Sequence, residues 1–157
     1  MSVHLESVRL SEASATNRLD LKGPGLDSQR TFPQGQAWRL GRRHVLLTCD
    51  PTARAAALAS LENLSPPVYV TDVTSVYKQF LLAGPRGRDV LRKLTSLNVS
   101  KLPDLACAQA SLAHVHALVL RQDLGSVPAF HLLTTRDYAE SVWESLLHAG
   151  AEFGITA

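Results

Sequence analysis

Two stretches far apart in this chain share one order of residues. His44-Val-Leu-Leu-Thr-Cys-Asp-Pro-Thr-Ala runs parallel to Phe130-His-Leu-Leu-Thr-Thr-Arg-Asp-Tyr-Ala. Each reads as the second strand of a hairpin that reaches Leu-Leu-Thr and then enters a helix. A sheet with one apolar face must cover it, and a helix following directly on the strand is a short way to do so. The pattern therefore predicts a repeated hairpin-plus-helix unit: an α+β fold of mixed, mostly antiparallel strands with covering helices, in two related halves. The split is expected near Pro103.

The local signals fill in this frame. Residues 36–40 form a first strand, Gly41, Arg42 and Arg43 a turn, and residues 44–48 the return strand. Asp50-Pro51 then starts a helix over 52–63, because Asp caps and Pro lacks the N–H that the first turn leaves unpaired. Ala56, Leu58 and Leu61 give it a thin apolar stripe, and Pro66-Pro67 ends it. Residues 68–74 and 78–83 are β-rich. Gly84-Pro85 repeats the helix start, and a helix over 86–97 carries Val90, Leu91, Leu94 and Leu97 on one face. Residues 108–121 alternate as one long strand, and 128–134 pair with it after the turn at 122–126. Ala139, Val142, Trp143, Leu146 and Leu147 give the strongest helical spacing in the chain, with Gly150 placed to end it. Residues 1–36 carry Gly23, Pro24, Gly25, Pro33 and Gly35 and read as an irregular arm with one short strand near 8–10, leaving 37–157 as the domain.

Composition narrows the function classes. The net charge is +2, and the densest basic run, Arg86, Arg88, Arg92 and Lys93, is broken by Asp89. That is a solvated helix face rather than the concentrated stripe of a nucleic-acid binder. No segment reaches the roughly 20 apolar residues of a membrane-spanning helix, and the N-terminus has no apolar leader. A cytoplasmic protein with reduced thiols at Cys49 and Cys107 is expected, so Asn63-Leu-Ser65 and Asn98-Val-Ser100 are chance matches to the glycosylation pattern. Charged residues make up 19% of the chain, against about 25% in typical domains. This fits burial against a partner, and it also fits an ordinary soluble domain.

The chemical candidates are few. His114 and His116, two apart on a strand, would point to one face and could converge on a metal. No third ligand lies near, so they read as structural or interface histidines. Cys49 sits at a strand end just before a helix start, which can activate a thiol, but without a base it reads as packing. Gly84-Pro85-Arg86-Gly87 lacks the spacing of a phosphate loop. The acidic residues are scattered. No catalytic residue and no metal site is assigned.

Residues 70–77, Val70-Thr-Asp-Val-Thr-Ser-Val-Tyr77, then Phe80-Leu-Leu-Ala-Gly-Pro-Arg-Gly-Arg-Asp-Val-Leu91 and Leu94-Thr-Ser-Leu-Asn-Val-Ser100 resemble the folate-binding aminomethyltransferase family, which includes the glycine cleavage T-protein. With Ala37-Trp-Arg-Leu-Gly-Arg-Arg-His-Val-Leu-Leu47 and residues 138–154, the chain is similar to gamma subunits of heterotetrameric sarcosine oxidase over roughly 36–155. The resemblance implies the folate-binding fold, with Tyr77 and Asn98 bordering the remnant of its pocket. Where the family carries its catalytic acid, this chain has Asn98, an amide that cannot ionise. The family's Gly-rich Asp-Asp segment reads Ala110-Ser-Leu-Ala-His-Val-His-Ala117 here, and its C-terminal barrel has no counterpart in the similarity. The expectation is an accessory, non-catalytic subunit of an amine oxidoreductase complex, with flavin on the partner subunits, no cofactor of its own, and tetrahydrofolate as a candidate ligand. Such a chain could form a homo-oligomer when isolated. The alternative is a stand-alone folate-binding protein of one-carbon metabolism.

Overall fold

The protein is described by a computed structural model covering residues 7–13, 16–29 and 31–157. In chain order the strands are β1 (Arg9–Glu12), β2 (Asn17–Lys22), β3 (Gln36–Gly41), β4 (His44–Cys49), β5 (Tyr69–Asp72), β6 (Tyr77–Ala83), β7 (Cys107–Leu112), β8 (Val115–Arg121) and β9 (Ala129–Thr135). The helices are α1 (Arg54–Leu61), α2 (Gly87–Arg92) and α3 (Ala139–Gly150). The fold is α+β with antiparallel sheets. It divides into two units: residues 7–13 with Tyr77–Ala157, and the described part of Ser14–Val76.

The unit within Ser14–Val76 is a four-stranded sheet in the order β3-β4-β2-β5. Leu19, Leu21, Val45 and Leu47 form its apolar face and meet Ala57 and Leu61 of α1, with Leu26 and Val68 closing the cluster. The helix start follows the sequence. The Asp50 carboxylate accepts from the Thr52 N–H at 2.9 Å, and Pro51 opens a 3-10 turn that runs into α1. The buried stripe is Ala57 and Leu61, whereas Ala56 is exposed. Leu61 lies one turn beyond Ala57, so the larger side chain decides which face turns inward. Across the hairpin, the buried indole of Trp38 donates to Thr48 Oγ1 at 3.0 Å, which satisfies the only polar group that burying a Trp leaves over.

The other unit is a five-stranded sheet in the order β1-β6-β9-β8-β7. Its helix-side core joins Leu10, Phe80, Leu82, Val119, Phe130 and Leu132 to Val90 and Leu91 of α2 and Val142 and Leu146 of α3. Trp143 meets the Phe80 ring at a centroid distance of 5.2 Å. Beyond α3, a glycine at φ 71 turns the chain so that Thr156 bridges to β1: its N–H donates to Val8 O at 3.2 Å and its carbonyl accepts from the Leu10 N–H at 2.8 Å.

Several sequence expectations are corrected. Residues 1–36 are not an irregular arm where they are described, because β1 and β2 are full members of the two sheets; residues 1–6, 14, 15 and 30 lie outside the described residues. The division falls at 13/14 and 76/77 rather than near Pro103, so the strands predicted over 68–74 and 78–83 belong to different sheets. The helix predicted over 86–97 stops at Arg92. The Thr95 hydroxyl accepts the Leu97 N–H at 3.2 Å, a local bond that competes with helix continuation. The single strand predicted over 108–121 is a hairpin, β7 and β8, turned by Ala113 and His114 at φ 50 and 67. A two-residue turn with both φ positive normally announces itself with Asn or Gly; here the Ala113 N–H donates to Leu94 O at 2.9 Å and braces the turn instead. The repeated hairpin and helix are present: β3 and β4 lead into α1, and β8 and β9 lead into α3.

Candidate functional site

Strand alternation sorts the residues of β6. Phe80 and Leu82 face the helices, so Tyr77 and Gln79 face the opposite side of the sheet. Register places Tyr77 opposite Thr135 and Leu81 opposite His131, so His131 shares that side. Gln79 is 6% exposed, and its amide nitrogen meets His131 Nδ1 at 2.9 Å. With the amide donating, Nδ1 accepts and the ring proton sits on Nε2. Burial pushes the His131 pKa down, which keeps the imidazole neutral. The result is an uncharged polar pair, Gln79 buried and His131 half-buried, on the side of the sheet that Tyr77 faces, with the Nε2–H as a remaining donor. Its chemistry suits hydrogen bonding to a polar group more than it suits carrying charge.

Asn98 lies elsewhere. It precedes the 3-10 turn Val99–Lys101, is exposed, and makes no side-chain cap to that turn. Val99 next to it enters the helix-side core. Tyr77 thus stands on β6 and Asn98 before the turn beyond α2, on separate elements of one unit. The Gln79–His131 pair was missed by sequence reasoning, since its members are 52 residues apart and neither belongs to a motif.

The Asp-Val-Thr segment at 72–74 forms a polar knot. Asp72 Oδ1 accepts the Thr74 N–H at 3.0 Å, and Oδ2 accepts from Arg54 Nε and a terminal nitrogen at 3.1 and 2.8 Å. Thr74 in turn accepts the Arg18 N–H and, through its carbonyl, a guanidinium nitrogen at 2.7 Å. The bonds from Thr74, then Arg54, hold the Asp72 carboxyl below the usual range. Burial raises both the Cys49 and the Cys107 thiol, so neither is an activated nucleophile. His114 sits in the hairpin turn and His116 on β8, which removes the same-face geometry proposed for a metal pair. Among the described residues no cluster of metal-ligating side chains forms.

A groove of about 540 Å³ runs between α2 and α3, lined by Lys93, Leu94, Ser141, Glu144, Ser145 and His148. Lys93 is held beside it by Glu152 and the Ala149 carbonyl, and it lies 4.9 Å from the Phe153 ring centre.

The GCVT N-terminal domain family matches residues 30–157. The chain belongs to this family. The match takes in Asp72, Tyr77, Gln79, Asn98 and His131 and begins after β2. Among curated relatives, the aminomethyltransferase of Saccharopolyspora erythraea is 27% identical over 120 residues, 75% of this chain and 33% of that protein. The sarcosine oxidase subunit alpha of Rhizobium meliloti is 25% identical over 134 residues, 79% of this chain and 14% of that protein. The chain spans only a quarter to a third of the aminomethyltransferase relatives it matches. Two solved structures share the fold. A chain of the heterotetrameric sarcosine oxidase from Corynebacterium sp. U-96 superposes with a TM-score of 0.77 at 21% identity, over 97% of this chain and 88% of that one. The glycine cleavage system aminomethyltransferase T from Bartonella henselae gives 0.73 at 15% identity, over 97% of this chain and 48% of that one. No helix among the described residues is long and apolar enough to cross a membrane.

Proposed function

We propose that this chain is an accessory, gamma-type subunit of a heterotetrameric, sarcosine-oxidase-like amine oxidoreductase, with the flavin on partner subunits. One observation carries this reading: the fold superposes on 88% of one chain of a heterotetrameric sarcosine oxidase but on 48% of a glycine cleavage transferase. A unit of this extent therefore occurs within that assembly as nearly a whole chain. The residue chemistry agrees. Asn98 takes the place of the family's acid, and an amide cannot supply a carboxylate to a reacting amine. The neutral Gln79–His131 pair shares the side of the sheet that Tyr77 faces. The role is one of assembly and support in a soluble, cytoplasmic complex, with no nucleic acid and no membrane involved.

The curated relatives named aminomethyltransferase favour a second reading, a stand-alone folate-binding protein of one-carbon metabolism. Calorimetry with tetrahydrofolate separates the two, alongside co-expression with the flavin-bearing subunits of a sarcosine oxidase. The accessory reading expects a stoichiometric complex on co-expression and no folate uptake by the isolated chain. Micromolar folate binding by the isolated chain, unaccompanied by complex formation, would overturn it. An Asn98→Asp variant reports whether restoring the acid restores a ligand.

A further inference from the structure

Gly84, which leads into α2, donates its N–H to Pro128 O at 3.0 Å, so the first turn of α2 lies against the base of the β8–β9 hairpin. On that turn stands Arg88, half-buried and without a hydrogen bond or ion pair among the described residues. Of its nitrogens only Nε is sealed from solvent, and it has no acceptor. The neighbouring acids are engaged elsewhere. Asp89 pairs with Arg86 and Arg92. Asp123 lies within reach of the Arg88 charge, but it accepts from Arg121 at 3.0 and 2.9 Å and from the Ala129 N–H at 3.3 Å.

The same corner holds out two leucines. Asp104 Oδ1 accepts the N–H groups of both Leu105 and Asp123, at 3.0 and 2.9 Å, so one oxygen ties the backbone at Leu105 to the turn that carries Leu124. Leu105 is 53% exposed and Leu124 54%. Leu105 is also held at φ 63, a conformation uncommon outside glycine. A backbone outlier of this kind costs stability and persists where its surroundings impose it, often at a binding surface.

We infer that Arg88, Leu105 and Leu124 form a docking surface for a segment of a partner subunit in which one Asp or Glu carboxylate, received by Arg88, stands beside aliphatic side chains. The charge calls for it. A guanidinium sealed on one side has lost part of its hydration without gaining a bond there, which is unfavourable. A carboxylate meeting its terminal nitrogens end-on supplies charge-assisted bonds. Around this corner Arg88 and Arg121 are balanced by Asp104 and Asp123, so a polyanion such as nucleic acid gains little, whereas a single carboxylate with apolar neighbours finds both of its complements. The inference rests on the assembly role proposed above and names the surface that carries it.

The test is calorimetric titration of the full chain with the flavin-bearing subunits of a sarcosine oxidase, for the wild type, Arg88→Met and Leu124→Ser, with the melting temperature of each chain alone. Methionine keeps the apolar stem of Arg88 and removes its charge and its unbonded nitrogen. The expected result is a dissociation constant raised at least about tenfold by Arg88→Met and at least about threefold by Leu124→Ser. The isolated Arg88→Met chain should melt no lower than the wild type, and added salt should weaken the wild-type complex more than the Arg88→Met complex. A wild-type complex that Arg88→Met leaves at full affinity overturns the inference while the assembly reading stands. A wild type that forms no complex overturns that reading, and the inference with it. Should Arg88→Met melt lower or fail to fold, Leu124→Ser decides, since it changes only an exposed turn residue: undiminished affinity there overturns the docking surface.

Discussion

Gln79 on β6 and His131 on β9 meet amide to imidazole at 2.9 Å, and burial depresses the His131 pKa. The unfolded chain, with a histidine pKa of about 6.5, takes up the proton first as the pH falls. The stability conferred by the neutral imidazole is therefore complete above about pH 6.5 and is lost below it. The melting temperature is expected to drop between pH 7.5 and 5.5, and His131→Leu should flatten that drop. An equal drop in both proteins would remove His131 as its source.

Asp72 serves two partners, Arg54 and the Thr74 N–H. The Arg54–Asp72 pair is 43% and 38% exposed, so its coupling should stay below about 1 kcal/mol and weaken with salt. Asp72 also accepts the Thr74 N–H, a local bond of a kind that contributes about 1 kcal/mol. Asp72→Ala should therefore destabilise more than Arg54→Ala in urea melts. Equal effects would show that the Thr74 bond contributes nothing.

Gly84 sits at φ +135, where an added Cβ would lie 2.6 Å from Ser7 O and 2.7 Å from Val8 Cα. Both atoms are backbone, so nothing flexible can give way. Gly84→Ala is expected to destabilise by about 2 kcal/mol or more. Gly125, at φ +64 with nothing near its Cβ position, should accept Asn at little cost. Calorimetric melts of the two variants check the contrast.

Both thiols have raised pKa values because they are removed from water. Labelling by a maleimide at pH 7 should be slower for Cys49 and Cys107 than for a small free thiol, and it should accelerate at alkaline pH. Rapid labelling of either residue at neutral pH would contradict the burial described here.

Where local chemistry and fold agree, the sequence can be read. The stripe Val142, Leu146 and its neighbours, the Asp50-Pro51 start and the strand before it are all decided within a few residues. β1 and β2 are not: each is short, with one and two apolar residues respectively, and gains its place from partners such as Ala83 and Thr48 far along the chain. The β7–β8 turn escapes because Ala113 and His114 carry no turn signal, and the turn is braced by the bond that the Ala113 N–H donates to Leu94 O, beyond the end of α2. In the candidate site, Tyr77 was reached only through the resemblance, and Gln79 with His131 could not be reached, since their meeting depends on the register of β6 against β9.

The bridge between Thr156 and β1 also sets the two units apart in how each is closed. The four-stranded sheet draws its strands from one uninterrupted stretch, whereas the five-stranded sheet takes β1 from before that stretch and its other strands from after it. The first can form from neighbouring chain alone, while the second is a loop whose two ends must find each other, and deleting Thr156 would unfasten that closure at β1.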